Sequence, residues 1–228
     1  METDGLAVRG PAVKEPAARG ADLSGAADLD RRDQLQRIVV VGSSCAGKTT
    51  FARRLALALN LPHTSLDDLF WRPGWQHRDD FVERVTDVVA GERWIVEGNY
   101  GAVRNVVWQR ATDLIWLDYA FPVVFTRALR RTVHRVVTQE PVCGGNRETF
   151  RHAFLSRDGI PCWVLRSFRP ARRTLTESLA AAEHAHLRVT ILRRSHQAET
   201  YLKEREQGSK AGRVDRDSAD LGSIDTVL

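Results

Sequence analysis

The run Arg37–Val41 (RIVVV) passes directly into Gly42-Ser43-Ser44-Cys45-Ala46-Gly47-Lys48-Thr49, and this junction leaves few architectures open. A β-branched run of this kind is the pattern of a strand buried on both faces of a parallel sheet. After the second glycine, Phe51, Leu55 and Leu59 recur every four residues, so a helix follows. The eight residues between fit G-x-x-x-x-G-K-[ST] in full, in the strand-to-helix setting that motif requires. Gly42 and Gly47 let successive N–H groups turn inward as an anion nest. The helix behind them adds unpaired N–H groups and the positive end of its dipole. The expected phosphate-contacting positions are Gly42, Ser43, Ser44, Cys45, Ala46, Gly47, Lys48, Thr49 and Thr50. Lys48 is expected on the β- and γ-phosphates of ATP, and the Thr49 hydroxyl on Mg²⁺.

Short apolar runs alternate with helical patterns over the rest of the chain. Strands are expected at His63–Leu66, Arg93–Val96, Asp113–Leu117 and Leu187–Leu192. Helices are expected at Asp79–Ala90, Phe121–Val137 and Gln197–Glu206. Five strands interleaved with helices predict an α/β fold, a parallel sheet with helices on both faces. Residues 1–34 and 208–228 carry no sustained apolar period and are expected to be disordered tails around a domain at 35–207.

Charge is unevenly placed. The net charge is +5, yet Arg127–Arg173 holds eleven Arg, no Lys and three acids. That segment carries +8 and the remainder −3. Arginine clustered without lysine favours bidentate recognition of phosphate or carboxylate, and it also attracts nucleic acid. A solvated basic surface accounts for the same pattern. Arg127, Arg131 and Arg135 recur every four residues and so share one helical face, a placement suited to neutralising a triphosphate. No apolar run is long enough to cross a membrane. The N-terminus lacks a basic region followed by an apolar stretch, and Cys45, Cys143 and Cys162 form neither a disulfide framework nor a zinc spacing. A cytoplasmic setting is the expectation.

Two acids follow apolar strands, Glu97 and Asp118, and either is positioned to hold Mg²⁺ or to cap the next helix. Asp67 and Asp68 close a short strand at the carboxyl edge of the sheet, the edge where open α/β sheets bind ligands. An aspartate there can take a proton from an acceptor hydroxyl, help hold the metal, or cap the helix around Leu69. Trp71 and Trp75 bracket a Pro-Gly turn, where they either stack on a base or sugar or close a small core.

Beyond the loop, the chain resembles the small kinase-like proteins described as adenylate kinase-like or DNA topology modulation proteins. The resemblance covers about residues 37–205 and rests on GSSCAGKTT, Leu66-Asp67-Asp68-Leu69-Phe70-Trp71 with Pro73-Gly74-Trp75, Trp94-Ile95-Val96-Glu97-Gly98-Asn99-Tyr100, Leu114-Ile115-Trp116-Leu117-Asp118, the Arg-studded helix from Arg127, and Gly145-Asn146-Arg147-Glu148 with Trp163. It implies a P-loop NTPase fold with an Arg-rich helical lid at about 136–172. It favours Glu97 over Asp118 at the metal and sets Asp67 toward the acceptor. It brings Arg127, Arg131 and Arg135, then Arg147 and Arg151, onto the phosphates, and puts adenine near Arg193–His196. The Asp-Gly-Phe-Pro-Arg stretch of adenylate kinases is replaced here by Glu97-Gly98-Asn99-Tyr100, so the AMP-recognising pattern is missing.

The expected activity is transfer of the γ-phosphoryl of Mg·ATP to a small acceptor such as a nucleoside or nucleotide. Lys48, Asp67, Arg127, Arg131 and Arg135 are the expected catalytic set, with Arg147 on the nucleotide. The alternatives are a nucleotide-switched nucleic-acid-binding regulator and a simple ATPase. No DNA-reading motif supports the regulator. Monomer and homodimer both fit the sequence.

Overall fold

The computed structural model describes residues 35–139 and 159–221, with side chains to residue 208. In chain order the elements are β1 (Arg37–Gly42), α1 (Lys48–Leu59), β2 (His63–Ser65), α2 (Leu66–Phe70), β3 (Trp71–Arg72), β4 (Gln76–His77), α3 (Phe81–Ala90), β5 (Trp94–Glu97), α4 (Arg104–Arg110), β6 (Asp113–Leu117), α5 (Phe121–Thr138), α6 (Ile160–Ala180), β7 (Arg188–Leu192) and α7 (Ser195–Leu221). Five of the strands form one sheet in the order β2-β5-β1-β6-β7, and all its pairings are parallel. This is the α/β P-loop architecture expected from the sequence.

Alternation along the buried strands divides the core in two. Ile38 and Val40 of β1 face one side with Ile115 and Leu117, and there they meet Phe51 and Leu55 of α1, Val124 of α5 and Leu202 of α7. Val39 and Val41 face the other side with Leu114 and Trp116, and there they meet Val85 and Val89 of α3 and Trp108 of α4. A strand apolar on both faces can be covered only by helices on both. The loop end of β1 is thus anchored from two sides. Arg54 of α1 adds a charged tie, donating to both oxygens of Glu199 at 2.7 and 3.0 Å and to Glu206 at 2.9 Å.

Helix α4 and the part of α6 beyond residue 172 stand where no element was expected, and three further features depart from the sequence reading. Leu66 opens α2 rather than closing β2. A two-stranded hairpin, β3 with β4, stands where only a turn was expected. The closing helix continues to Leu221, so residues 208–221 do not form the expected disordered tail. The tail at 1–34 and most of the lid segment, with Arg147 and Arg151, lie outside the described residues; within the lid range the described parts belong to α5 and α6.

Gly42 ends β1 beside Leu117 of β6, with φ 153°, and a Cβ there would lie 2.8 Å from the Leu117 carbonyl oxygen. Backbone cannot yield as a flexible side chain does. Gly42→Ala is expected to destabilise the fold by about 3 kcal/mol, a Tm drop on the order of 10 °C in thermal unfolding.

Candidate active site

β1 delivers the loop to the carboxyl edge of the sheet, and α1 starts at Lys48. Gly47 (φ 92°) and Cys45 (φ 64°) both have left-handed backbone, which curls the loop over the first turn of α1. Lys48 Nζ folds back and donates to the Ser43 carbonyl at 3.2 Å. Its ammonium therefore sits over the loop, held by one weak contact.

Thr49 in the first turn of α1 points toward β5. Its hydroxyl donates to Glu97 Oε1 at 2.9 Å. Glu97 is the last residue of β5, a strand flanked by β1 and β2, and it is only 1% exposed. Among the described residues, the Thr49 hydroxyl is its hydrogen-bond donor. A carboxylate this deep with one neutral donor is costly without a cation. The pair of hard oxygen donors suits Mg²⁺, which takes one or two protein oxygens and completes its shell with phosphate and water. No group of three or more His, Cys, Asp or Glu side chains able to cage a metal occurs among the described residues. His63 on β2 lies close enough to feel the Glu97 charge; burial dominates and pushes its pKa below the ordinary value.

Asp118, the second metal candidate, is engaged elsewhere. Its Oδ2 accepts from Arg172 of α6 at 2.8 Å and lies 4.0 Å from Arg193 Nε. The structure thus sets Glu97, not Asp118, against Thr49. Strand ends alone could not rank the two, because Arg172 lies 54 residues beyond Asp118; the resemblance had favoured Glu97.

Arg127 on α5 closes the other side of the loop. It donates to the Ala46 carbonyl at 2.9 Å and to the Ser195 hydroxyl at 2.8 Å, and its guanidinium lies 4.9 Å from the centre of the Tyr119 ring. Ser195 opens α7, so one side chain links the phosphate loop to the segment where adenine was expected. Burial raises the Tyr119 pKa, and the Arg127 charge partly opposes it. Arg131 is half-buried with its Nε facing no acceptor among the described residues, and Arg135 is half-buried near the end of α5.

On the acceptor side, Asp67 lies in the first turn of α2, half-buried, and Asp68 is exposed. Tyr100 donates its phenol to Asp67 Oδ1 at 2.5 Å. The contact depends on Gly98: with φ 141°, a Cβ there would lie 2.8 Å from Leu66 Cβ, so only glycine lets the strand end pass this close to α2.

No protein-family model matches the chain, and no curated protein sequence matches it. Among solved structures the chain is similar to a shikimate kinase from Acinetobacter baumannii in complex with shikimate, at TM-score 0.49 and 16% identity over 81% of this chain and 98% of that one. It is also similar to a gluconokinase from Sinorhizobium meliloti, at TM-score 0.44 and 14% identity over 82% and 97%. A shikimate kinase from Bacteroides thetaiotaomicron gives TM-score 0.44 and 18% identity over 75% and 96%.

Tyr100, Ser195 and Arg172 are the site residues whose roles the sequence left unassigned. Tyr100 stood in a recognisable stretch, but its partner is 33 residues away and is met only because Gly98 lets the loop close. A cavity of about 770 Å³, lined by Arg37, Arg110, His186 and Arg188 among others, opens where β1, β6 and β7 begin and shares no residue with the loop.

Proposed function

We propose that the protein is a kinase-like phosphotransferase moving the γ-phosphoryl of Mg·ATP to a hydroxyl of a small acceptor. The observation that carries this is the Thr49–Glu97 contact beneath a loop that holds Lys48 over its own carbonyls. A chance glycine turn has no reason to bury a carboxylate against the hydroxyl that follows the lysine. Thr49 and Glu97 would hold Mg²⁺, which supplies charge neutralisation on the phosphates when bound.

The chain's own groups divide the remaining work. Loop amides and Lys48 hold the phosphates, and Lys48 and Arg127 offset the charge that builds on the transferring group. Asp67, with one oxygen held by Tyr100, takes the acceptor's proton on the other. The acceptor oxygen then bonds to the γ-phosphorus, the bond from phosphorus to the bridging oxygen breaks, and ADP leaves with that electron pair. Arg131 and Arg135 belong to the same proposal as lid residues, together with Arg147 and Arg151. The likeness to adenylate kinase-like proteins agrees with this scheme, and the missing AMP pattern points away from AMP as acceptor. Among the described residues, no helix is long and apolar enough to cross a membrane.

The pairing of the arginines speaks against a nucleic-acid regulator. Arg172 pairs with Asp118 and Arg173 with Glu177, so part of the segment's charge is offset by acids on either side of it, and Arg127 is oriented onto the loop by neutral oxygens. ADP formation should be measured with Mg·ATP alone and with a panel of nucleosides, sugars and hydroxy acids. A productive acceptor is expected to raise the rate by at least about tenfold over water. A rate unchanged by every compound would leave an ATPase.

A further inference from the structure

The hairpin that the sequence did not reveal sits directly after Asp67. Trp71 pairs with His77 and Arg72 with Gln76, and Arg78 N–H closes its base on the Phe70 carbonyl at 2.9 Å. The connection is Pro73-Gly74-Trp75. Gly74 has φ 80° and Trp75 has φ 57°. A bulky residue in the left-handed region is a sterically costly choice at a turn that Gly or Asn would close freely. The cost is incurred by an indole that is half-buried and packed edge-on to Trp71 at 5.5 Å.

This indole is tied to Asp67 by an unbroken chain of rings. Tyr100, whose phenol holds Asp67, lies 4.7 Å from Phe70. Phe70 lies 4.9 Å from Trp71 and 5.0 Å from Phe81. The Trp71 backbone N–H in turn donates to the Asp67 backbone carbonyl, closing α2. Carboxylate and indoles are thus fixed in one frame, with one Asp67 oxygen not taken by Tyr100. Flat aromatic faces recognise the C–H or π face of a rigid ring, and an open chain offers no such face.

We propose that the β3–β4 hairpin is the acceptor-recognition element, and that Trp75 takes the face of a hydroxylated ring of pentose or hexose size while Asp67 takes its hydroxyl. This rests on the phosphotransferase reading and names the acceptor class for it. A free cyclic polyol and the sugar of a nucleoside share this chemistry.

Saturation-transfer NMR in the presence of Mg·ADP tests it, with myo-inositol, D-ribose and adenosine as ring probes and glycerol as the open-chain probe. At least one ring probe should receive transfer while glycerol receives none, and the inositol and adenosine arms distinguish the two sources. Trp75→Asn keeps a residue that tolerates the left-handed backbone. It should weaken ring binding by about tenfold or more, with Tm within about 2 °C of wild type. Trp75→Phe, which restores a flat face, should bind within about threefold of wild type. Glycerol binding as well as the rings, no transfer to any ring, or ring binding unchanged in Trp75→Asn would each overturn the proposal. Calorimetry with Mg·ATP separates the two levels. ATP binding without ring contact refutes the acceptor class alone, and no ATP binding refutes the phosphotransferase reading beneath it.

Discussion

Lys48→Ala protein is expected to fold like wild type and to lose ATP-dependent turnover by about a thousandfold. In the folded chain the Lys48 ammonium makes one 3.2 Å contact, to the Ser43 carbonyl, and it is half-buried. Water replaces that contact at little cost, so Tm should move by no more than about 2 °C. The loss falls on the reaction. An ammonium about 4 Å from a phosphate charge near a protein surface contributes roughly 4 kcal/mol, and each 1.4 kcal/mol is a factor of ten. Much of that interaction strengthens as charge shifts toward the bridging oxygen, so kcat should fall and not only affinity. Lys48→Arg restores the charge but not the compact point donor, and should recover only part of the rate. Coupled measurement of ADP release, with thermal unfolding on the same preparations, gives both numbers. Turnover within threefold of wild type in Lys48→Ala would remove the loop from the chemistry.

The phosphate loop was legible because its signal is local. Gly42 and Gly47 stand where the backbone must take positive φ, and the flanking periodicities place them between strand and helix without any tertiary knowledge. Four of the five parallel strands were legible for the same reason, since each holds a short apolar run, whereas β2 is His-Thr-Ser. The hairpin was not, because two strands of two residues carry no period to read. Helix α4, seven residues long, was missed for the same reason.

The arginine stripe was legible as a face but not as a set of contacts. Spacing put Arg127, Arg131 and Arg135 on one side of α5, and in the structure Arg127 bonds to the loop. A helix advances 1.5 Å per residue, so Arg135 lies about 12 Å further along the axis. The sequence gives rotation around the helix, whereas reach depends on where the helix starts relative to the loop. Glu97 and Asp118 pose the same problem across the sheet. Both end apolar strands; the resemblance favoured Glu97, and the strand order and the Arg172 pairing give the physical distinction.

Glu97→Gln should make the protein more stable and less able to use magnesium. The carboxylate is 1% exposed, and its hydrogen bond comes from a neutral hydroxyl. Glutamine keeps an oxygen to accept from Thr49 and removes the buried charge. Relief of that desolvation is on the order of 1 kcal/mol or more, a Tm rise of about 2–4 °C in a domain of this size. The functional cost appears in linkage. In wild type, Mg·ADP should raise Tm more than ADP without the metal, because a ligand that binds only the folded state stabilises it by its occupancy. In Glu97→Gln that magnesium-dependent difference should vanish, and ADP formation should fall by a hundredfold or more. Asp118→Asn is the contrasting variant: it weakens the Arg172 pair, lowers Tm, and leaves the magnesium effect in place. If Glu97→Gln lowered Tm and kept the full magnesium shift, Glu97 would be a packing residue and the metal would have to be held elsewhere.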